Sequence, residues 1–299
     1  MRPALVCALA SIALAATACG ERPEPVAADL SLYPVEVRGA GDEPTLLAER
    51  PERIAALAPG AAELLAAMGA GDRLVGIPAG VSVPEAPGAR ELTRPSGLVD
   101  VEALSRVDAD LVVASPANDT EDVGRALRRS PAALYLSPEG SIADVRRATL
   151  ELGLLAGEPV AAREVARAME ERIADVQASV AELVPARVFV DTGFLITMPD
   201  DSLTADVVRH AGGELVGTEA AGEPVEPCDL LELAPDVVLT FDAGLAERSQ
   251  AAFQRCDPAP AEAPEFIEVD ADLLTRAGPR VADALEQIAE ILHPAAFPG

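Results

Sequence analysis

Side chains able to do chemistry are few and scattered in this chain. Its 299 residues hold four Cys and two His, with no Trp, and every basic group is an Arg. Cys7 and Cys19 lie in an apolar N-terminal stretch, which leaves Cys228 and Cys256 in the body of the chain. A thiolate nucleophile or thiolate metal site needs His or further Cys in pattern beside it, and neither Cys has them. Two thiols in an oxidising compartment pair instead, so export of the chain would imply a Cys228–Cys256 disulfide. His210 falls near an expected helix C-terminus, where the dipole favours an imidazolium, and His293 lies near the chain end. Neither is expected to ligate a metal. Asp200 and Asp201 precede Ser202, a plausible helix start, so capping explains that carboxylate pair. Gly69-Ala70-Gly71 lacks the third Gly of a dinucleotide fingerprint and closes a helix instead of opening one. Neither a Walker loop nor a Gly-x-Ser-x-Gly elbow occurs. No catalytic residue, metal site or cofactor is expected, and the chain does not read as an enzyme.

Charge narrows the partners. Fifty acidic side chains oppose 23 basic ones, a net charge of −27, while 49% of residues are apolar. Such a chain folds around a core, but phosphate backbones and anionic lipid surfaces repel it. Nucleic acid is excluded as a partner. Residues 1–18 read as a signal peptide: Arg2 is a short basic start, and the apolar run Ala4 to Ala18 is too short to span a bilayer. The run ends Ala16-Thr17-Ala18-Cys19-Gly20, similar to the bacterial lipoprotein cleavage box, in which the Cys is lipidated and becomes the new N-terminus. Ala16 stands where that box prefers Leu, so an ordinary secretory cut near Ala18 is the alternative. Either reading places the chain outside the cytoplasm, lipid-anchored through Cys19 in the first case. Residues 19–32, rich in Pro and acid, form the tether.

The elements that must position any site alternate between strand and helix. Arg53 to Leu57, Leu74 to Ile77, Asp110 to Ala114 and Leu134 to Leu136 are short apolar runs of the kind found in parallel sheets. Helices are expected over Ala61 to Met68, Val101 to Arg106, from near Asn118 to Glu121, and from Ser141 to Gly157, where Ser141 and Asp144 make a capping-box-like start. After Pro159, apolar residues from Val165 to Leu183 recur at spacings of three and four, a long helix closed by Pro185. A second set then repeats the first in order: Arg187 to Asp191 parallels the strand at Arg53, Asp206 to Gly213 parallels Glu63 to Gly71, Leu215 to Gly217 parallels Leu74 to Gly76, and Leu230 to Leu239 parallels Val101 to Val113. The resulting fold class is α/β: an N-terminal lobe over 33–158, a connecting helix over 159–184, and a C-terminal lobe over 185–299. Two similar lobes facing each other make a natural ligand clamp.

Several segments together resemble one family. Pro51-Glu52-Arg53-Ile54, Leu57-Ala58-Pro59, Gly69 through Gly76, Val101-Glu102-Ala103-Leu104, Asp110-Leu111-Val112 and Asp270 through Pro294 are similar to the iron-siderophore and cobalamin binding proteins of ABC importers. The likeness covers about residues 35 to 295. It implies two Rossmann-like lobes joined by one long backbone helix, with the ligand in the cleft between them. It also implies a monomer that captures a small-molecule metal chelate, iron–siderophore first, for an ABC permease and its ATPase. Cobalamin is the alternative ligand, and a ligand-sensing surface lipoprotein without transport is the alternative role.

Carried onto this chain, the resemblance puts strand-end loops around the ligand: Ala58 to Ala62, Ile77 to Val83, Thr93 to Gly97 and Ser115 to Asn118 in the N-lobe, and Thr192 to Asp200, Glu223 to Val225 and Thr240 to Ala243 in the C-lobe. The residues expected at the ligand are Gly60, Ala61, Arg94, Ser96, Ser115, Phe194, Leu195, Phe241 and Arg276. Gly60 and Ala62 stand where the family often has Ser and Thr, so backbone N–H groups must serve there. Pro95, Ser115 and Pro224 fall where cobalamin binders place aromatics. Tyr135 is expected in the core. The family also carries one acid on each lobe to meet Arg of the permease. Glu102 matches in the N-lobe; in the C-lobe Cys228 takes the matching place, leaving Glu226 and Asp229 beside it.

Overall fold

The central strands of this protein are short and buried on both faces, as happens where helices pack on each side of a parallel sheet. The structure, a computed structural model, describes residues 32–298 apart from 119–123, 125–126, 128–129, 242–243, 245–246, 249–250, 253 and 257–263. Cys19, the signal segment and most of the tether therefore lie outside the described residues, as does most of the helix expected near Glu121.

A small antiparallel hairpin, β1 (Val35–Val37) and β2 (Thr45–Leu47), precedes the N-lobe sheet. That sheet contains β3 (Ile54–Ala56), β4 (Leu74–Ile77), β5 (Arg90–Glu91), β6 (Leu111–Ala114) and β7 (Ala133–Leu136). They lie in the order β5-β4-β3-β6-β7, all parallel. Helices of this half whose full span is described are α1 (Pro59–Ala67), α2 (Val101–Ser105) and α3 (Ile142–Ala156). The Ser141 hydroxyl accepts from the Asp144 N–H to start α3, and Gly157, at φ +76°, ends it in the left-handed conformation that costs Gly least.

Helix α4 (Pro159–Val180) connects the lobes, with Met169, Ile173, Val176 and Val180 on its buried stripe. It stops short of its expected end. Leu183 and Val184 are exposed and no longer helical; with no core left to face, the apolar spacing alone does not extend a helix.

The C-lobe repeats the N-lobe topology. Strands β8 (Ala186–Asp191), β9 (Gly213–Leu215), β10 (Val237–Thr240) and β11 (Glu265–Glu268) run parallel in the order β11-β10-β8-β9. This is the order of β7-β6-β3-β4. The matching helices are α5 (Leu203–His210) for α1 and α6 (Pro227–Glu232) for α2, followed by α7 (Ala271–Thr275) and α8 (Val281–Leu292). The repeat extends to single hydrogen bonds. Arg53 caps the carbonyls of Val107 and Asp108, and Asp110 Oδ2 accepts from the Arg53 N–H. Arg187 likewise caps Leu233 and Ala234, and Asp236 Oδ2 accepts from the Arg187 N–H. Both capped turns contain a non-Gly residue at positive φ, Asp108 at +48° and Ala234 at +44°. One core cluster joins the buried stripe of α4 to β8, β10, α5 and α8.

Candidate functional site

In a parallel sheet every strand ends at the same edge, and the loops leaving that edge are free to meet a ligand. The N-lobe edge supplies Leu57 and Ala58 after β3 with Pro59 to Ala61 of the first turn of α1, Pro78 to Gly80 after β4, Thr93 to Leu98 after β5, Ser115, Ala117 and Asn118 after β6, and Ser137 and Glu139 after β7. From the C-lobe, α7 and the turn behind it bring Asp272, Thr275, Arg276 and Ala277, directly downstream of β11. Together they line a cleft of about 610 Å³.

Local hydrogen bonds hold the lining in place. The Thr93 hydroxyl accepts from the Ala79 N–H at 2.9 Å, tying two of the loops together. Arg94 stands on a tight turn in which its N–H donates to the Leu98 carbonyl at 2.8 Å and its carbonyl accepts from the Gly97 N–H at 2.9 Å. Asn118 Oδ1 accepts from the backbone N–H of Ser115 at 3.0 Å and lies 3.2 Å from its hydroxyl. Burial raises the pKa of the Glu139 carboxyl above the ordinary value, and a hydrogen bond with Ser115 offsets part of that rise.

The far wall is built from an interlobe contact. Arg276 Nη1 lies 2.6 Å from Glu63 Oε1 on α1, and Arg276 Nη2 lies 2.5 Å from Asp272 Oδ2. Arg280 reaches the same Glu63 oxygen at 3.2 Å. Next to these ion pairs the backbones meet: a Cβ on Gly60 would sit 2.0 Å from the Ala277 carbonyl oxygen. The missing hydroxyl at position 60 thus has a tertiary cause, because any side chain there would strike the other lobe.

Of the residues expected at the ligand, Gly60, Ala61, Arg94, Ser96, Ser115 and Arg276 line this cleft. Three others are placed differently. Leu195, only 6% exposed, is packed with Phe189, Val216, Leu230 and Val238 in the C-lobe core. Phe241, directly after β10, is partly buried against the core cluster that joins α4 to the C-lobe. Phe194, at the end of β8, is 80% exposed but does not line the cleft. It and Leu195 both have positive φ, in a turn held by Asp191 Oδ1, which accepts from the N–H groups of Gly193 and Leu195. Tyr135 is fully buried and donates to Glu151. Glu139, Glu63 and Asp272 were not anticipated. Glu139 could have been found from its place just past an apolar strand; Glu63 and Asp272 carry no local signal.

Elsewhere, Glu102 is 74% exposed at the second position of α2 and pairs with Arg106. Cys228 occupies the same position of α6, between exposed Glu226 and Asp229, and is disulfide-bonded to Cys256. Among the described residues no group of three or more His, Cys, Asp or Glu is placed to hold a metal ion. No described helix is long and apolar enough to cross a membrane.

Comparison with known proteins agrees with this two-lobed arrangement. The chain is 22% identical over 278 residues to the uncharacterized ABC transporter substrate-binding lipoprotein YvrC of Bacillus subtilis, covering 89% of this chain and 88% of that protein. It is 26% identical over 257 residues to the vitamin B12-binding protein of Vibrio cholerae, covering 83% and 92%. The crystal structure of the periplasmic vitamin B12 binding protein BtuF of Vibrio cholerae superposes with a TM-score of 0.66 over 83% of this chain and 99% of that one, at 24% identity. The heme binding protein HmuT gives a TM-score of 0.65 over 87% and 90%, at 20% identity. The model of the periplasmic binding protein family matches residues 54–255, from the first strand of the N-lobe sheet to beyond β10. With paired sheets, opposed strand ends and a match over most of its length, the chain belongs to the periplasmic binding protein family, whose members bind solutes and do not transform them.

Proposed function

We propose that this protein captures a metal that is already chelated, an iron–siderophore first, outside the cytoplasm and delivers it to an ABC permease. The observation that carries this reading is the make-up of the cleft. It is large, lined by hydroxyls, backbone, Arg94, Arg276, Glu139 and Asp272, and its described lining has no group of three or more metal donors. A bare ion would find too few ligands there, whereas a chelate brings its own and needs only hydrogen bonds and contact area. Haem fits poorly, since no His, Tyr, Met or Cys is among the described lining residues to serve as an axial ligand. Cobalamin is the second reading, favoured by the vitamin B12-binding relatives.

Anchoring by a lipid on Cys19 keeps the protein beside its permease, and Cys19→Ser should release it into the soluble fraction. The ligand is tested by mass spectrometry of small molecules that co-purify with the protein, together with thermal shifts against siderophores, cobalamin and free metal ions. A ligand at about 100 times its Kd adds about 2.7 kcal/mol to stability. Stabilisation by cobalamin alone would reverse the ranking of the two chelates. Stabilisation by free zinc or manganese alone would end the chelate reading.

A further inference from the structure

We infer that Glu139 selects the ligand: its carboxylate accepts hydrogen bonds from amide or ammonium donors on the chelate and turns away strongly anionic chelates. The inference rests on the cleft being the chelate site, and deepens that reading.

Four observations converge on it. Glu139 lies half-buried just past the end of β7 and lines the cleft together with Ser115 and Ser137. A carboxylate withdrawn from water loses hydration that protein groups replace only in part, so donors arriving with a ligand are worth more there than at an exposed site. Of the two Arg residues lining the cleft, Arg276 is already neutralised by Glu63 and Asp272, so it has little charge to offer an anion. Arg94 stands on the exposed turn after β5, on the rim, where solvent weakens its hold on an anion. The whole chain, at −27, adds a repulsive field for any anion approaching the cleft.

These charges divide the metal chelates. A catecholate complex of ferric iron presents a trianion and would meet the Glu139 carboxylate without a free cation close by to offset it. A chelate rimmed by amides, or one with an ammonium tail, presents the donors that Glu139 lacks. The ligand class is therefore a neutral or cationic chelate rich in N–H groups, a description that spans hydroxamate siderophores and corrinoids alike.

The test uses the full chain in detergent and three probes in isothermal titration: cyanocobalamin, ferrioxamine B with its ammonium, and a ferric tris-catecholate. Wild type should bind one of the first two at least about tenfold more tightly than the tris-catecholate, the scale of one charge-assisted hydrogen bond. Glu139→Gln should weaken that preferred ligand about tenfold and narrow the gap to the catecholate. Glu139→Ala should do the same, so a folding defect peculiar to one variant cannot imitate the effect. Unchanged affinity of the preferred ligand in both variants, or a wild-type preference for the tris-catecholate, overturns the inference and leaves the chelate reading standing. If no probe binds wild type, the chelate reading fails and this inference fails with it.

Discussion

Replacing Gly60 with Ala sets two effects of opposite sign against each other. Gly60 follows Pro59 at the start of α1, and an Ala in a helix is favoured over Gly by about 1 kcal/mol, part of it through a less flexible unfolded chain. Against that gain stands the other lobe. The new Cβ would lie 2.0 Å from the Ala277 carbonyl oxygen, 2.4 Å from its carbon and 2.9 Å from the Gly278 nitrogen, all backbone atoms. Reaching ordinary contact requires the two backbones to part by about 1.4 Å, and neither can yield by a rotamer change. Overpacking of this kind costs about 1–3 kcal/mol. Parting the lobes also stretches the Glu63–Arg276 pair, whose charged hydrogen bonds contribute about 1.5–3 kcal/mol when made in full. The net expectation is destabilisation by about 1–4 kcal/mol, or a Tm lower by roughly 3–12 °C for a domain of this size. Differential scanning fluorimetry reads it directly. Gly278→Ala is the control: its Cβ would meet Gly60 Cα at 3.0 Å and the movable Glu63 Oε2 at 3.2 Å, so a smaller loss is expected. A Gly60→Ala protein that melts at or above the wild-type temperature would refute the interlobe contact, because helix propensity alone predicts that result.

Four further expectations follow from particular contacts. Glu63→Ala strands Arg280 while Asp272 still holds Arg276, so a loss of about 1–2 kcal/mol is expected in urea titration; no change in midpoint would mean the pairs are too solvated to matter. The disulfide spans 28 residues in sequence, and its loss should cost about 3–4 kcal/mol by loop-closure entropy, so a Cys228→Ala/Cys256→Ala variant should melt roughly 10 °C lower, and an unchanged melt would count against that account. Because burial raises the Glu139 pKa in the folded state, the folded protein binds that proton more readily than the unfolded chain, and its stability falls as pH rises from about 4.5 through the raised value. Glu139→Gln removes this penalty, so without ligand it should melt higher than wild type at pH 7, with the gap closing below pH ~4.5; a gap that widens toward acid pH contradicts the sign. Glu102 is proposed to meet an Arg of the permease, so Glu102→Arg should slow uptake in cells while leaving ligand affinity in solution unchanged; uptake at the wild-type rate removes Glu102 from docking.

Much of this protein was determined by patterns that act over a few residues. Apolar runs such as Leu111–Ala114 and Val237–Thr240 announce strands buried on both faces, because nothing polar interrupts them. Ser141 and Gly157 bound α3 by capping chemistry that involves only their neighbours. The repeat of Arg53 and Asp110 as Arg187 and Asp236 was visible as parallel segments, since the same turn needs the same caps. Of the six expected residues that line the cleft, all but Arg276 do so because strand ends are legible, and in a parallel sheet they all face one way.

Tertiary structure decided whatever depends on residues far apart in the chain. The end of α4 at Val180 reflects where the core stops, which periodicity through Leu183 does not record. Strand β5 is two exposed residues, Arg90 and Glu91, and owes its existence to the edge of β4 rather than to any apolar run. Leu195 and Phe241 sit at strand ends as expected, yet their side chains serve the C-lobe core, because burying an apolar side chain is favourable wherever a core lies within reach. Glu63, Arg276 and Arg280, separated by more than 200 positions, gain their meaning only when the lobes meet. Gly60 is the clearest case: the sequence shows a lost hydroxyl, while the fold shows an opposing backbone that leaves no room for one.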